Sequence, residues 1–266
     1  MLSHEFVRFA LLAGTAVASA SGVLGYFLVA RGQLFSVDVL SHVAFAGALV
    51  ALCFGVDARI GLFAATVAVG LVLAAFAPKG RADDVVIGST FAWVLGIGVL
   101  ALSIYARRFS GRGDAAGVSV LFGSIFGLDA GATALVVVVA LLVLGATLAL
   151  ARPLLFASID DGAAAARGVP VRALSVGFLA LVGVQVAQAT QAVGALLVLG
   201  LLAAPAGTAV RLTARPYRAM ALASGIAVAA VWAGVAISYA VPEVPPSFAV
   251  VAIASAVFFA SFAVRR

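Results

Sequence analysis

Apolar residues in this chain run in long blocks, and polar or charged residues are confined to the short intervals between them. The blocks cover about 9–30, 34–54, 60–77, 85–105, 128–151, 171–190, 192–210, 219–241 and 247–264. A helix needs about 20 apolar residues to cross the hydrocarbon core of a bilayer. Each block therefore predicts a spanning helix, and the whole predicts an all-α, polytopic transmembrane bundle. The boundary between the sixth and seventh blocks is soft, because residues 171–210 are almost continuously apolar and divide only near Gln188–Gly194. The prediction is eight or nine spans. The stretch Gly117–Leu128 is too short to span as a helix, and reads as an interfacial or re-entrant segment or a loop helix.

Composition leaves little room for another solvent. Hydrophobic residues make up 65% and charged residues 10% of 266 positions, against about 45–50% and 25% in soluble domains. Mean hydropathy is +1.26. The net charge of +6 does not signal nucleic acid, because the basic residues form no continuous face. It reports orientation instead, since cytoplasmic loops are enriched in Lys and Arg. With nine spans, Arg31, Lys79, Arg81, Arg152, Arg167, Arg172, Arg211, Arg215, Arg218, Arg265 and Arg266 fall on one side. Arg8, Arg59, Arg107, Arg108 and Arg112 fall on the other. The larger group belongs inside, which predicts an outside N-terminus and an inside C-terminus. Arg8, an apolar run and Ala18-Ser19-Ala20 imitate a cleavable signal. Glu5 and the run's continuation to Ala30 predict a first span instead.

Glycine is abundant, at 28 residues, and much of it lies inside spans. Gly14, Ala18 and Gly22 form a small-xxx-small row, and Ala203 and Gly207 another; such rows let helices approach closely. The single cysteine, Cys53, rules out an internal disulfide and a thiolate cluster, and reads as a small buried hydrophobe.

Chemistry concentrates at one place. Of ten acidic residues, only Asp38 falls within an apolar run, and of two histidines only His42 does. Four residues on a helix is a rise of about 6 Å and a turn of about 400°, so the two share a face. Burying a carboxylate at a helix centre costs about 2.5–3.5 kcal/mol, so such groups face a bundle interior. Together they suit Zn²⁺, Mn²⁺ or Fe²⁺, or a proton relay; the plainer reading is an Asp–His hydrogen bond between two turns. Further donors inside spans are neutral: Gln185, Gln188, Gln191, Ser89, Thr90 and backbone carbonyls. The three glutamines also suit interhelical hydrogen bonding.

Other chemistry is excluded. The sole lysine, Lys79, precedes Gly80, so there is no GxxxxGK[ST] phosphate loop. HExxH and GxSxG constellations are absent as well, and an enzyme is not expected. The polar segment Arg152–Arg172 predicts a short capped helix. Asp160 or Asp161 suits its N-cap, Ala163–Arg167 its body and Gly168 its C′ position, and Pro170 stops it. Such a helix on the cytoplasmic face is either a connector or a grip for a partner.

Over essentially its whole length the chain resembles the integral-membrane permeases of bacterial ABC importers for zinc, manganese and iron. The resemblance rests on Gly22–Gly25, Val29–Arg31 and Asp38-Val-Leu-Ser-His42 through Gly47. It also rests on Asp84–Gly88, Leu121–Gly123, Phe156–Val171, Val193 through Ala209 (a long helix containing Pro205), and Pro245–Val250. The resemblance implies a type II ABC importer-like fold and a single permease domain over residues 1–266. It implies a homodimer or a pair of related permeases with a pathway at their axis, in the bacterial cytoplasmic membrane. Two cytoplasmic ATPase subunits and an extracytoplasmic metal-binding protein are the implied partners. Asp38 and His42 are the implied metal-handling residues, and Asp160, Asp161, Arg167 and Gly168 the implied coupling surface. The cargo is a divalent metal, zinc or manganese or iron, with no tightly bound cofactor. Uptake is expected to fail on acidification, because a protonated imidazole cannot ligate. The alternatives are a secondary transporter or channel with Asp38 and His42 as a relay, and an ABC permease for a chelated metal.

Overall fold

The computed structural model describes residues 4–77, 83–108, 123, 125–195 and 198–263. Among these, all regular structure is helical. The helices are α1 (Glu5–Ala30), α2 (Leu34–Cys53), α3 (Ala58–Ala75), α4 (Asp84–Arg108), α5 (Ala130–Ala149) and α6 (Ala151–Ile159). There follow α7 (Asp161–Ala166), α8 (Val171–Val193), α9 (Val198–Leu212), α10 (Pro216–Ala240) and α11 (Pro246–Ala260). Local chemistry sets several boundaries. Asp57 caps α3 by accepting the Arg59 N–H at 2.8 Å, and Asp129 caps α5 through the Ala132 N–H at 2.6 Å. Pro216 and Pro246 open α10 and α11, where no intrahelical N–H is needed.

Among the described residues, eight helices are long and apolar enough to cross a membrane, α11 being counted with its 3₁₀ extension to Ala263. The block predicted at 192–210 corresponds to α9, whose 15 residues span about 22 Å, short of a hydrocarbon core of about 30 Å. The long Pro-containing helix implied for Val193–Ala209 is not continuous. It ends at Gly194, which has φ of 91°, and α9 begins at Val198. Of the segment Gly117–Leu128, residues 117–122 and 124 lie outside the described residues, and Ile125–Gly127 forms a 3₁₀ turn.

The chain divides into two compact units. The first comprises 1–32, 124–155 and 199–266. In it α1 packs on α5 and α10, and α10 on α11. The Gly14–Ala18–Gly22 row faces α10: a Cβ on Gly22 would come within 2.4 Å of the Ser224 backbone. Two side-chain bonds stitch the same pair, Ser224 Oγ to the Ser19 carbonyl and Trp232 Nε1 to Thr15 Oγ1, each 2.8 Å. At the second predicted row, Gly207 faces the Phe258 ring rather than a helix backbone.

The second unit comprises 33–123 and 156–198. Its contacts fix helix directions. Gly47 meets Gly61 and Ala65, so α2 and α3 are antiparallel. Gly70 meets Leu179 and Gly183 meets Thr66, so α3 and α8 are antiparallel too. His42 touches Phe91, Ala46 lies by Gly98, and Cys53 Sγ reaches the Ala101 carbonyl at 3.4 Å, so α2 and α4 run parallel. The starts of α2, α4 and α8 and the end of α3 therefore share one end of this unit, and α7, which leads into α8, lies at that end as well.

Candidate metal-handling site

Asp38 and His42 occupy the first half of α2 and are both half-buried. The plainer alternative, a side-chain bond between them, does not form. His42 Nδ1 instead lies 2.9 Å from the Asp38 backbone carbonyl, which Ser41 Oγ also reaches at 2.7 Å. A carbonyl only accepts, so Nδ1 carries a proton, and in the neutral imidazole Nε2 is then the nitrogen with the lone pair. This is the arrangement by which a histidine is oriented to ligate a metal through its other nitrogen. The imidazole also meets the Phe91 ring of α4 edge-on, with centroids 5.0 Å apart.

The freed Asp38 carboxylate lines a cavity of about 270 Å³ at the α2–α4 seam. Phe35, Val39, Asp84, Ile87, Gly88 and Phe91 complete the lining. Among the described residues this carboxylate has no hydrogen-bond or ionic partner. No group of three or more His, Cys, Asp or Glu able to hold a metal occurs among them either.

The predicted coupling residues are brought together by α7. Asp160 is its N-cap, accepting the Ala163 N–H at 2.9 Å. Gly168 has φ of 83° and donates to the Ala165 carbonyl at 3.0 Å, while Val169 N–H closes the turn on Ala164. The Arg167 guanidinium stands 5.7 Å from the Phe156 ring centroid. Asp160, Arg167 and Gly168 are exposed and Asp161 is half-buried.

The fold agrees with the comparison to known proteins. The model of the ABC 3 transport family matches residues 3–265. The chain belongs to this family. It is 27% identical over 263 residues to the manganese transport system membrane protein MntC of Listeria innocua, covering 98% of this chain and 91% of the relative. It is 30% identical over 224 residues to the manganese transport system membrane protein MntD of Bacillus subtilis, covering 79% and 76%. Among solved structures, PsaBC from Streptococcus pneumoniae in complex with Fab superposes with a TM-score of 0.83 at 24% identity, covering 97% of this chain and 91% of that one. The ABC 3 family member described here is thus a multi-pass membrane transport subunit.

Within this ABC 3 family chain the other proposed donors lie apart from Asp38. Gln185 and Gln188 are fully buried, and Gln188 Nε2 donates to Gln185 Oε1 within the same helix. That bond ties successive turns of α8 together. Ala187 packs on Ala44 and Ala48, so the pair sits further along the unit than Asp38. Gln191 is half-buried, Ser89 is exposed, and Thr90 Oγ1 is spent on the Val86 carbonyl at 2.8 Å. Sequence reasoning placed Asp84 at a span edge and did not connect it to Asp38. Only the parallel pairing of α2 and α4 reveals that the two carboxylates line one cavity.

Proposed function

We propose that this chain is the permease subunit of an ATP-driven importer that carries a divalent transition metal, manganese or zinc or iron, across the bacterial cytoplasmic membrane. The observation that carries the reading is the His42 tautomer: Nδ1 is held by the Asp38 carbonyl, leaving Nε2 free one turn from an unpartnered carboxylate. One carboxylate and one imidazole make half a coordination shell. A second copy of the chain supplies the other half, so the working form is a homodimer, or a pair with a related permease, and the two units of each chain act as one permease domain. The manganese named in several relatives favours that metal as cargo.

The capped α7, with Asp160, Asp161, Arg167 and Gly168, is the grip for a cytoplasmic ATPase subunit, which hydrolyses the ATP. An extracytoplasmic metal-binding protein delivers cargo at the opposite end. With α9 counted as a ninth, shortened crossing, the distribution of basic loop residues puts the N-terminus outside and the C-terminus inside. The test is uptake of radiolabelled Mn²⁺ by cells carrying the complete transporter. Asp38→Asn and His42→Gln are each expected to lower uptake at least about tenfold, with the amount of assembled complex unchanged. Wild-type uptake in both variants refutes the site. Uptake driven by a proton gradient through the purified chain, without any ATPase, refutes the ATP-driven reading.

A further inference from the structure

We propose that Asp84 is a second cation-handling carboxylate, standing at the mouth of the cavity by which the metal leaves Asp38. The inference rests on the transport reading given above and deepens it.

Asp38 and Asp84 line one cavity, with Phe35, Ile87 and Phe91 as its apolar walls. The two acids are staggered along the parallel axes of α2 and α4. Asp84 is the first residue of α4, whereas Asp38 lies about 6 Å along α2 from its start at Leu34. Because α2 and α4 run parallel, Asp84 is nearer the end that bears α7. A cation moving from Asp38 toward that end meets Asp84 next.

Helix capping does not account for Asp84. That role falls to Asp83, whose Oδ1 accepts the Val85 N–H at 3.1 Å. The Asp84 carboxylate has no partner among the described residues.

A second observation is independent of charge. Gly88, one turn beyond Asp84, also lines the cavity, and a Cβ built there meets nothing within 4 Å. Close packing therefore does not require this glycine, and glycine weakens a helix interior. Its missing side chain keeps the cavity open. At about 270 Å³ the space admits a cation with several of its waters, each occupying about 30 Å³. Two carboxylates in apolar walls attract a divalent cation and repel an anion.

The experiment uses the complete transporter, permease with ATPase and binding protein, and follows initial uptake of radiolabelled Mn²⁺. Asp84→Asn is expected to lower the rate at least fivefold, and Asp84→Glu to restore it to within twofold of wild type. Gly88→Leu, which fills the cavity without touching charge, is expected to lower it similarly. Complex yield should be unchanged in all three. Wild-type uptake in Asp84→Asn, a loss that Asp84→Glu does not restore, or a fall in complex yield each overturns the proposal. Asp38→Asn is measured alongside. If it alone loses uptake, only the Asp84 inference fails; if it transports normally, the underlying transport reading fails with it.

Discussion

The contact between α1 and α10 gives a prediction whose size follows from the structure. A Cβ on Gly22 would stand 2.4 Å from the Ser224 Cα and backbone nitrogen and 2.7 Å from the Ala223 carbonyl carbon. Unstrained heavy-atom contacts are about 3.5–4.0 Å, so Gly22→Ala forces the two backbones apart by about 1 Å. Overpacking of this kind costs about 1–3 kcal/mol. The separation also stretches the 2.8 Å bond from Ser224 Oγ to the Ser19 carbonyl, and such bonds in membranes contribute about 0.6 kcal/mol. Alanine returns up to about 1 kcal/mol of helix propensity. The net is a loss of about 0.6–2.6 kcal/mol. Gly225, the neighbour of Ser224, is the control, because a Cβ there meets nothing within 4 Å. Gly225→Ala gains only the propensity term, so the two substitutions have opposite signs. The assay is thermal unfolding of the detergent-solubilised protein, read by size-exclusion chromatography after heating. Gly22→Ala should lower the midpoint by several degrees, and Gly225→Ala should hold or raise it. Equal midpoints would refute the close-approach argument.

Two further predictions concern α7 and the end of α8. Asp160→Ala removes the N-cap of α7 and should cost about 1 kcal/mol, whereas Asp160→Asn, which caps equally well, should cost little. In Mn²⁺ uptake by the complete transporter the order expected is wild type, then Asn close behind, then Ala clearly lower. Gly194 holds φ of 91° and ψ of 153°, a region essentially reserved for glycine, so Gly194→Ala should cost about 1–3 kcal/mol. A lowered thermal midpoint in detergent checks this, and an unchanged midpoint counts against it.

The parts of this structure that were legible in sequence are those governed by short-range rules. Bilayer thickness fixes span length, so the apolar blocks located eight long helices. The N-cap, C′ and Pro signals at Asp160, Gly168 and Pro170 are local, and α7 forms as they require. The Gly14–Ala18–Gly22 row was readable because its period matches one helix face. Gly47–Ala51 and Gly61–Ala65 are small-xxx-small pairs as well, but which helices they and Gly70 and Gly183 join emerges only once α2, α3 and α8 are set in register. The soft division of residues 171–210 became a break at Gly194, a backbone event that hydropathy does not register. Spacing put Asp38 and His42 on one face but could not choose the histidine's partner. Every helical residue offers a carbonyl four positions back, and here that carbonyl competed successfully with the carboxylate. Asp84 was legible only as part of a family motif, and its tie to Asp38 was not, because that neighbour in space lies on a helix 46 positions earlier in sequence, counting from 38 to 84.

The arrangement of helices in the second unit bears on how a force applied at α7 would reach Asp38. The chain passes from α7 through Pro170 directly into α8, whose first turn is closed by the Leu174 N–H on the Pro170 carbonyl. Along its length α8 touches α3 at Gly70 and Gly183 with backbone against backbone, and α3 touches α2 in the same way at Gly61 and Gly47. Backbone contacts of this closeness have no side chains to repack, so a displacement of α8 would carry α3 and α2 with it as a rigid body. The opposite flank of α2 is different. There α4 packs on α2 at His42–Phe91 and Ala46–Gly98, and the cavity lined by Phe35, Asp38, Asp84, Ile87, Gly88 and Phe91 opens at the end of this seam that bears α7, leaving room for relative movement there. Motion delivered at Asp160–Gly168 would therefore be transmitted by the glycine contacts and taken up at the α2–α4 seam. That seam holds both carboxylates, so changing its width changes their separation, and with it the number of donors a cation can reach at once. On the proposed reading, a cation held by both acids in a narrower seam and by one in a wider seam would be bound and then released.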